Sequence, residues 1–360
     1  MTRRALIVRL DSVGDVLLCG PAVRAVAASP DIDEVWMLCS SVGADAACML
    51  PGVTSVLVWD CPWITVPAPA LTSDHLAELD DLVRAVAPDV AIILTSFHQS
   101  PLPVALQLRL AGVPWIAGAS VDYAGALLDV RLKPGEDFPE DQPESERALR
   151  IVAAGGYRLP AGDDGRLRVE TPRAPLPPEV ASSGPFVVVH PGASASARRW
   201  PPAHFAEAVR QLHRAGMNVV VTGMPDETEL TALVSRGGRN AVDLGGHTEL
   251  SSLAALIARA EVVITGNTGP AHVAAAVGTP VVSLFSPVVP AVRWAPYGVP
   301  CILLGDQSAP CRDSRARECP IPGHPCLTSV TPEQVVDACI ELAPMAPGAR
   351  RAAELGSVRR

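Results

Sequence analysis

The chain has 360 residues, too many for one ordinary domain and comfortable for two. Apolar residues make up 48% against 19% charged, which supplies ample core and excludes global disorder. A formal net charge of −9 excludes a nucleic-acid binder, whose affinity rests on neutralising phosphates.

No run approaches the roughly 18 apolar residues needed to span a bilayer. The start MTRRALIVRLDSVGD breaks at Asp11 into a strand-like pattern and does not read as a secretory leader. Nine cysteines are scattered without a CxxC, which suits reduced thiols, so a cytoplasmic protein is expected. Lys133 is the only lysine, so a basic side chain on a phosphate must almost always be arginine.

In chain order, buried strands are expected at Ala5–Leu10, Val35–Cys39, Ser55–Trp59 and Asp89–Leu94, with helices at Asp15–Ala28 and Asp74–Ala87. Continuous apolar strands alternating with helices imply a parallel sheet covered on both faces. The first strand feeds a turn at Ser12–Gly14, and a helix opens at Asp15. Residue types leave two readings of Asp15 open: a carboxylate facing a ligand, or one merely favoured in a first helical turn. After the strand ending at Leu94 comes TSFHQSPLP, Thr95 to Pro103, the best candidate ligand-facing surface of this half, with His98 in it.

Residues 1–170 read as one domain and the proline-rich stretch 171–185 as an extended linker. The alternation then restarts as a second domain over 186–343, ahead of a frayed Ala/Gly/Arg-rich tail at 344–360. Strands are expected at Phe186–His190, Asn218–Thr222, Val262–Thr265 and Pro280–Phe285, with AVDL between them. Helices are expected near Pro202–Ala215, Asp226–Ser235, Ser251–Ala260 and from Pro270. Two such domains place the carboxyl ends of two parallel sheets at a ligand cleft.

Two loops of the second half suit an anion. In HPGASASARRWP, Gly192, Ala193 and Ser194 let backbone N–H groups approach, and Arg198 with Arg199 suits a diphosphate fork; a surface loop with two solvated arginines is the other reading. In TGNTGPAH, Gly266-Asn267-Thr268-Gly269 precedes a helix with Pro270 at its start, so the free N–H groups form an anion site. Thr268 caps the helix or donates to a phosphate, and His272 either reaches the same oxygens or is a structural histidine. There is no GxGxxG, GxxxxGK[ST] or GxSxG. The late set Cys311, Cys319, His324 and Cys326 lacks the close ligand pairs of a structural zinc site, so no metal is expected, and the role of these cysteines stays open.

RLDSVGD, HPGASxxxRRWP, TGNTGPAH and CPxxGHPCL, in this order and spacing, together resemble the heptosyltransferases of glycosyltransferase family nine. The resemblance implies an α/β protein of GT-B architecture, two Rossmann-like domains facing across a cleft. It implies inverting transfer of a heptose from ADP-heptose, without a metal or other cofactor, to a glycan or small-molecule hydroxyl. Asp15 then matches the catalytic general base, with Ser12, Gly14 and His98 on the acceptor side. Ala193, Ser194, Arg198, Arg199, Glu227, Asn267, Thr268, Gly269 and His272 fall to the nucleotide-sugar donor, Glu227 on its ribose and Arg198 where the family usually has lysine.

The sequence departs from the family pattern at Asn267, where an Asp is common, and at Val288-Val289-Pro290, where Thr-Asp-Pro is frequent. Both positions lie near the donor sugar in the family, so the resemblance carries the nucleotide-sugar class and leaves the sugar open. The family's usual acceptor, the lipopolysaccharide core, implies a peripheral encounter with a membrane. Two other readings share the donor chemistry: a GT-B-like nucleotide-sugar epimerase, and a nucleotide-sugar-binding protein without turnover.

Overall fold

The computed structural model describes residues 2–171, 175–182 and 184–345. It divides into two compact units, Met1–Glu170 and Thr171–Arg360.

The first unit is built on six strands, β1 (Arg4–Arg9), β2 (Glu34–Cys39), β3 (Ser55–Val58), β4 (Val90–Ile93), β5 (Ile116–Ala119) and β6 (Val130–Leu132). They lie in the order β3-β2-β1-β4-β5-β6, every pair parallel. Its helices are α1 (Val13–Leu18), α2 (Gly20–Ala27), α3 (Ala44–Cys48), α4 (Ser73–Val86), α5 (Leu102–Leu110) and α6 (Glu144–Ala154). Alternation along β1 sends Leu6, Val8 and Leu10 to one face, where they join Leu79 and Val83 of α4 and Val104 and Leu108 of α5. Arg9 therefore belongs to the opposite face with Ala5 and Ile7. The buried carboxylate of Glu144, at the start of α6, meets it there.

The second unit repeats the plan with β7 (Phe186–His190), β8 (Asn218–Gly223), β9 (Val242–Gly245), β10 (Val262–Gly266), β11 (Val281–Leu284) and β12 (Cys301–Leu304). Their order is β12-β11-β10-β7-β8-β9, again wholly parallel. Its helices are α7 (Pro178–Ala181), α8 (Pro202–Arg214), α9 (Thr228–Ser235), α10 (Leu250–Ile257), α11 (Gly269–Val277), α12 (Ala291–Trp294), α13 (Pro325–Thr328) and α14 (Pro332–Leu342). Val187, Val189, Ile264 and Val282 pack against Phe205 and Leu212 of α8 and Val335 and Cys339 of α14. Trp200 is anchored under this layer, its indole N–H donating to the Val330 carbonyl at 3.1 Å.

In each sheet the unit's first strand pairs with its second on one side and its fourth on the other, the Rossmann arrangement. The winding reverses between β1 and β4 and between β7 and β10. Loops leaving the carboxyl ends of those strands diverge, and the gap they leave is where such sheets bind ligands.

Three local readings change. The helix expected from Asp15 to Ala28 begins two residues earlier and breaks in two at Cys19. Ser12 has extended backbone (φ −82°, ψ 173°) and holds the N-cap position of α1 without a side-chain capping bond, so Gly14 is helical and not part of a turn. Within the proline-rich stretch, Pro178–Ala181 forms a short helix, because a proline at the first helical position gives up an N–H that had no partner anyway. Residues 172–174 and 183 of that stretch, and 346–360 of the tail, lie outside the described residues.

Candidate functional site

At the end of β1 a single guanidinium organises three carboxylates. Arg9 is 2% exposed; its Nε lies 2.8 Å from Asp11 Oδ2, its Nη2 3.1 Å from Asp15 Oδ1 and its Nη1 3.5 Å from Glu144 Oε2. Nη2 also donates to Ser96 Oγ, just past β4, at 2.7 Å. Burial opposes the charge on Arg9, but Asp11, Asp15 and Glu144 more than offset it and hold its pKa above the ordinary arginine value. Asp11 is nearly buried, and burial pushes its carboxyl up against the pull of Arg9. Its other partners come from the loop after β4: Gln99 Nε2 donates to Oδ1 and Ser96 Oγ to Oδ2.

Asp15 is the most exposed of the three carboxylates, 18% against 10% for Asp11 and 1% for Glu144. It sits in the first turn of α1, Oδ1 on Arg9 and Oδ2 accepting from Ser12 Oγ at 2.8 Å. Of the expected acceptor-side residues, Ser12 touches Asp15, Gly14 is buried in the same turn, and His98 is exposed in the loop after β4 with its ring edge-on to Phe97 at 5.3 Å. Arg9, Asp11, Glu144 and Gln99 were not singled out from sequence. Glu144 is 135 residues from Arg9, and nothing local marks it.

In the second unit the two expected loops meet where the winding reverses. The loop after β7 leads into a single 3-10 turn, Ser196–Arg198, whose Arg198 carbonyl crowds the α-carbon of Gly266; a Cβ there would meet it at 2.9 Å. Arg198 Nη1 reaches back to the Asn267 carbonyl at 3.5 Å. Arg199 points elsewhere, its Nε donating to the Ala193 carbonyl at 2.7 Å, so this guanidinium braces the loop.

Helix α11 starts at Gly269 with Pro270 in its first turn, and no side chain caps it; Thr268 is half-buried at the cap. Asn267, 4% exposed, has both Oδ1 and Nδ2 buried without a hydrogen-bond partner among the described residues. His272 is buried in the first turn of α11.

Glu227 is fitted against glycine. A Cβ on Gly192 would fall 2.0 Å from its Oε2, so only glycine admits the carboxylate beside the β7 loop. Its Oε2 accepts from the Met224 N–H at 3.0 Å and lies 3.9 Å from His190 Nε2. His190 is buried at the end of β7 with Nδ1 3.1 Å from Thr222 Oγ1, and burial lowers its pKa to about 4, so the ring is neutral at pH 7.

The late cysteines are free thiols. Cys311 and Cys326 belong to the core under β11, and burial pushes the Cys326 thiol up to about 11. Cys319 Sγ donates to the Ile321 carbonyl at 3.4 Å. Among the described residues no group of three or more His, Cys, Asp or Glu is placed to hold a metal ion. Val288 and Val289 are buried, Val288 within the same core. No helix among the described residues is long and apolar enough to cross a membrane.

Residues 117–323 match the family model of glycosyltransferase family 9 (heptosyltransferase). The matched stretch contains the β7 loop, Glu227 and the Asn267–His272 turn; Asp15 lies upstream of it. No curated protein sequence matches the chain significantly. Among solved structures, a family 9 glycosyl transferase from Veillonella parvula superposes with a TM-score of 0.73 at 17% identity, covering 95% of this chain and 98% of that one. The ADP-heptose lps heptosyltransferase II of E. coli gives 0.71 at 21%, covering 95% and 99%. E. coli heptosyltransferase WaaC, solved with ADP, gives 0.69 at 18%, covering 94% and 99%. The fold is thus GT-B, with two Rossmann-like units. On the family match, this chain belongs to glycosyltransferase family 9, the heptosyltransferases, and is a glycosyltransferase.

Proposed function

We propose that the chain is an inverting transferase that moves a sugar, a heptose from ADP-heptose, to a hydroxyl of a glycan or natural-product acceptor. The C-terminal unit takes the donor, and the N-terminal unit takes the acceptor and supplies Asp15 as general base.

The observation that carries this reading is the composition of the turn between β10 and α11. An orphaned Asn267 amide costs about 1–3 kcal/mol when buried. Its Oδ1 calls for a donor and its Nδ2 for an acceptor, and sugar hydroxyls supply both. Beside it are the Gly269 N–H, at the start of α11 where no side chain caps it, and the guanidinium of Arg198, which suit an anion. A nucleotide-diphosphate sugar is one ligand with both kinds of group. The buried Glu227 against Gly192 is the acceptor proposed for its ribose hydroxyls. Two of the similar structures carry names that fit: one is called an ADP-heptose heptosyltransferase and another was solved with ADP.

The chemistry follows from these groups. The acceptor oxygen attacks the anomeric carbon from the face opposite the diphosphate. As that C–O bond forms, the bond to the phosphate oxygen breaks, the electron pair leaves with the diphosphate, and the hydroxyl proton passes to Asp15. An aspartate side chain in an unstructured peptide is a weak base, with a pKa of about 3.9. That is enough, because the base has only to accept the proton late in a concerted step. Arg9 and Ser12, each donating to one oxygen of Asp15, fix its orientation. Arg198, His272 and the Thr268–Gly269 N–H groups stabilise the departing charge, so a metal is not required in this scheme.

The test is a thermal-shift panel of ADP-, GDP-, UDP- and dTDP-sugars. Ligand at 100 times its Kd raises stability by roughly 2.7 kcal/mol, so ADP-heptose should raise Tm most. A larger shift from another nucleotide class would reassign the donor.

A further inference from the structure

We propose that residues 315–324 form a strap that sets the position of Arg198, with His324 as its positioning residue. This rests on the donor reading above, which puts Arg198 on the diphosphate.

Ala197, directly before Arg198, is fully buried, and both of its backbone groups are bonded to the strap. Its N–H donates to the Arg317 carbonyl at 3.0 Å, and its carbonyl accepts from His324 Nε2 at 3.0 Å. Two more bonds tie the same pieces together. Ser196 Oγ donates to the Arg317 carbonyl at 3.3 Å, and Arg317 Nη2 donates to the Ser194 carbonyl at 3.2 Å. The turn's own backbone closures are Arg198 N–H to Ala195 and Arg199 N–H to Ser196, at 3.0 and 3.1 Å. A single 3-10 turn holds its shape poorly by itself. What fixes it here is a segment about 120 residues further on.

The position matters because the Arg198 carbonyl already lies against Gly266, one residue before Asn267. A displaced turn moves the guanidinium relative to the N-terminus of α11, and the two would no longer meet one anion. The strap end is itself anchored. His324 adopts a left-handed backbone (φ +51°) after Gly323 (φ +79°), and Cys326 and Leu327 sink into the core two residues on. The bond to Ala197 needs a proton on Nε2, present in the imidazolium and in one neutral tautomer. This absorbs the CPIPGHPCL motif: its cysteines pack, and its histidine aims the donor loop.

The experiment is calorimetric titration of ADP, and separately of adenosine, into the intact protein, His324→Gly, His324→Gln and Arg198→Ala. Glycine removes the ring and tolerates the left-handed backbone; glutamine keeps an N–H donor near the position of Nε2. His324→Gly should weaken ADP about tenfold, the scale of one buried carbonyl left without its donor. His324→Gln should recover most of that loss, and adenosine, which lacks the phosphates, should bind all four proteins alike. Unchanged ADP affinity in His324→Gly overturns the strap. So does an equal loss of adenosine, which would mean that the whole unit had been disturbed. If Arg198→Ala loses ADP while His324→Gly keeps it, the strap falls and the donor reading stands. If Arg198→Ala itself keeps ADP, the donor reading falls and takes the strap with it.

Discussion

The two sheets share one strand order, and in each the first and fourth strands end side by side, yet the side chains collected there are of opposite kinds. At the end of β1 three carboxylates surround one buried guanidinium. At the ends of β7 and β10 the groups are a neutral histidine, an amide, small residues, an open helix N-terminus and Arg198, with one carboxylate folded back against glycine. Topology decides where a Rossmann unit can bind, and the residues at the reversal decide which charge it accepts. On the function proposed above, the first unit takes up a proton and the second receives an anion.

That contrast is most sharply tested at Asp15. Asp15→Asn keeps the shape and the Ser12 contact but removes the base, so turnover should fall by roughly 10²–10⁴, with ADP affinity unchanged. Near-normal turnover would remove Asp15 from the mechanism, and a matching loss of ADP binding would erase the division of labour between the units.

The buried histidine gives the next effect. Above about pH 6.5 the His190 ring is neutral whether the chain is folded or not, and it costs nothing. As pH falls from 6.5 to about 4 the unfolded chain binds a proton that the folded one refuses, so stability is lost through that window. The loss is on the order of 3 kcal/mol. His190→Asn, which retains a group near Thr222 but cannot protonate, should flatten the decline in urea midpoint over this window. A decline as steep as in the parent would place the acid sensitivity elsewhere.

Arg198→Ala should weaken ADP by about one to two decades, the scale of a charge-assisted contact. Arg198→Lys should regain part of it, because the charge returns without the fork. His98→Ala, in the other unit, should spare ADP; an equal loss there would contradict the assignment of donor to the second unit. The smallest effect expected is none: EDTA should leave turnover intact if arginine and helix N–H groups supply the positive charge. Activity lost to chelation and restored by a divalent ion would show that a metal shares that task.

The legibility of this molecule follows the range of each signal. The β-branched runs at β1, β2, β7, β8 and β10 declare themselves because a strand buried on both faces must be continuously apolar. β5, with the sequence IAGA, and the three-residue β6 carry no such pattern and went unread. The motif residues Asp15, Arg198 and Asn267 stand out because each follows a strand at short range, whereas Glu227 is marked only by the family resemblance.

The α/β class, the family and the loops that carry polar groups are thus written in local pattern and motif. Which of those groups meet depends on packing. Arg9 looks like an oddity inside an apolar strand until α6 brings Glu144 onto it, and His324 has no readable role in its loop until its ring is found on the Ala197 carbonyl. The reason is physical. Strand and helix periodicity are set by neighbours a few residues apart, whereas a buried charge or an orphaned carbonyl is satisfied by whichever distant segment packing delivers to it.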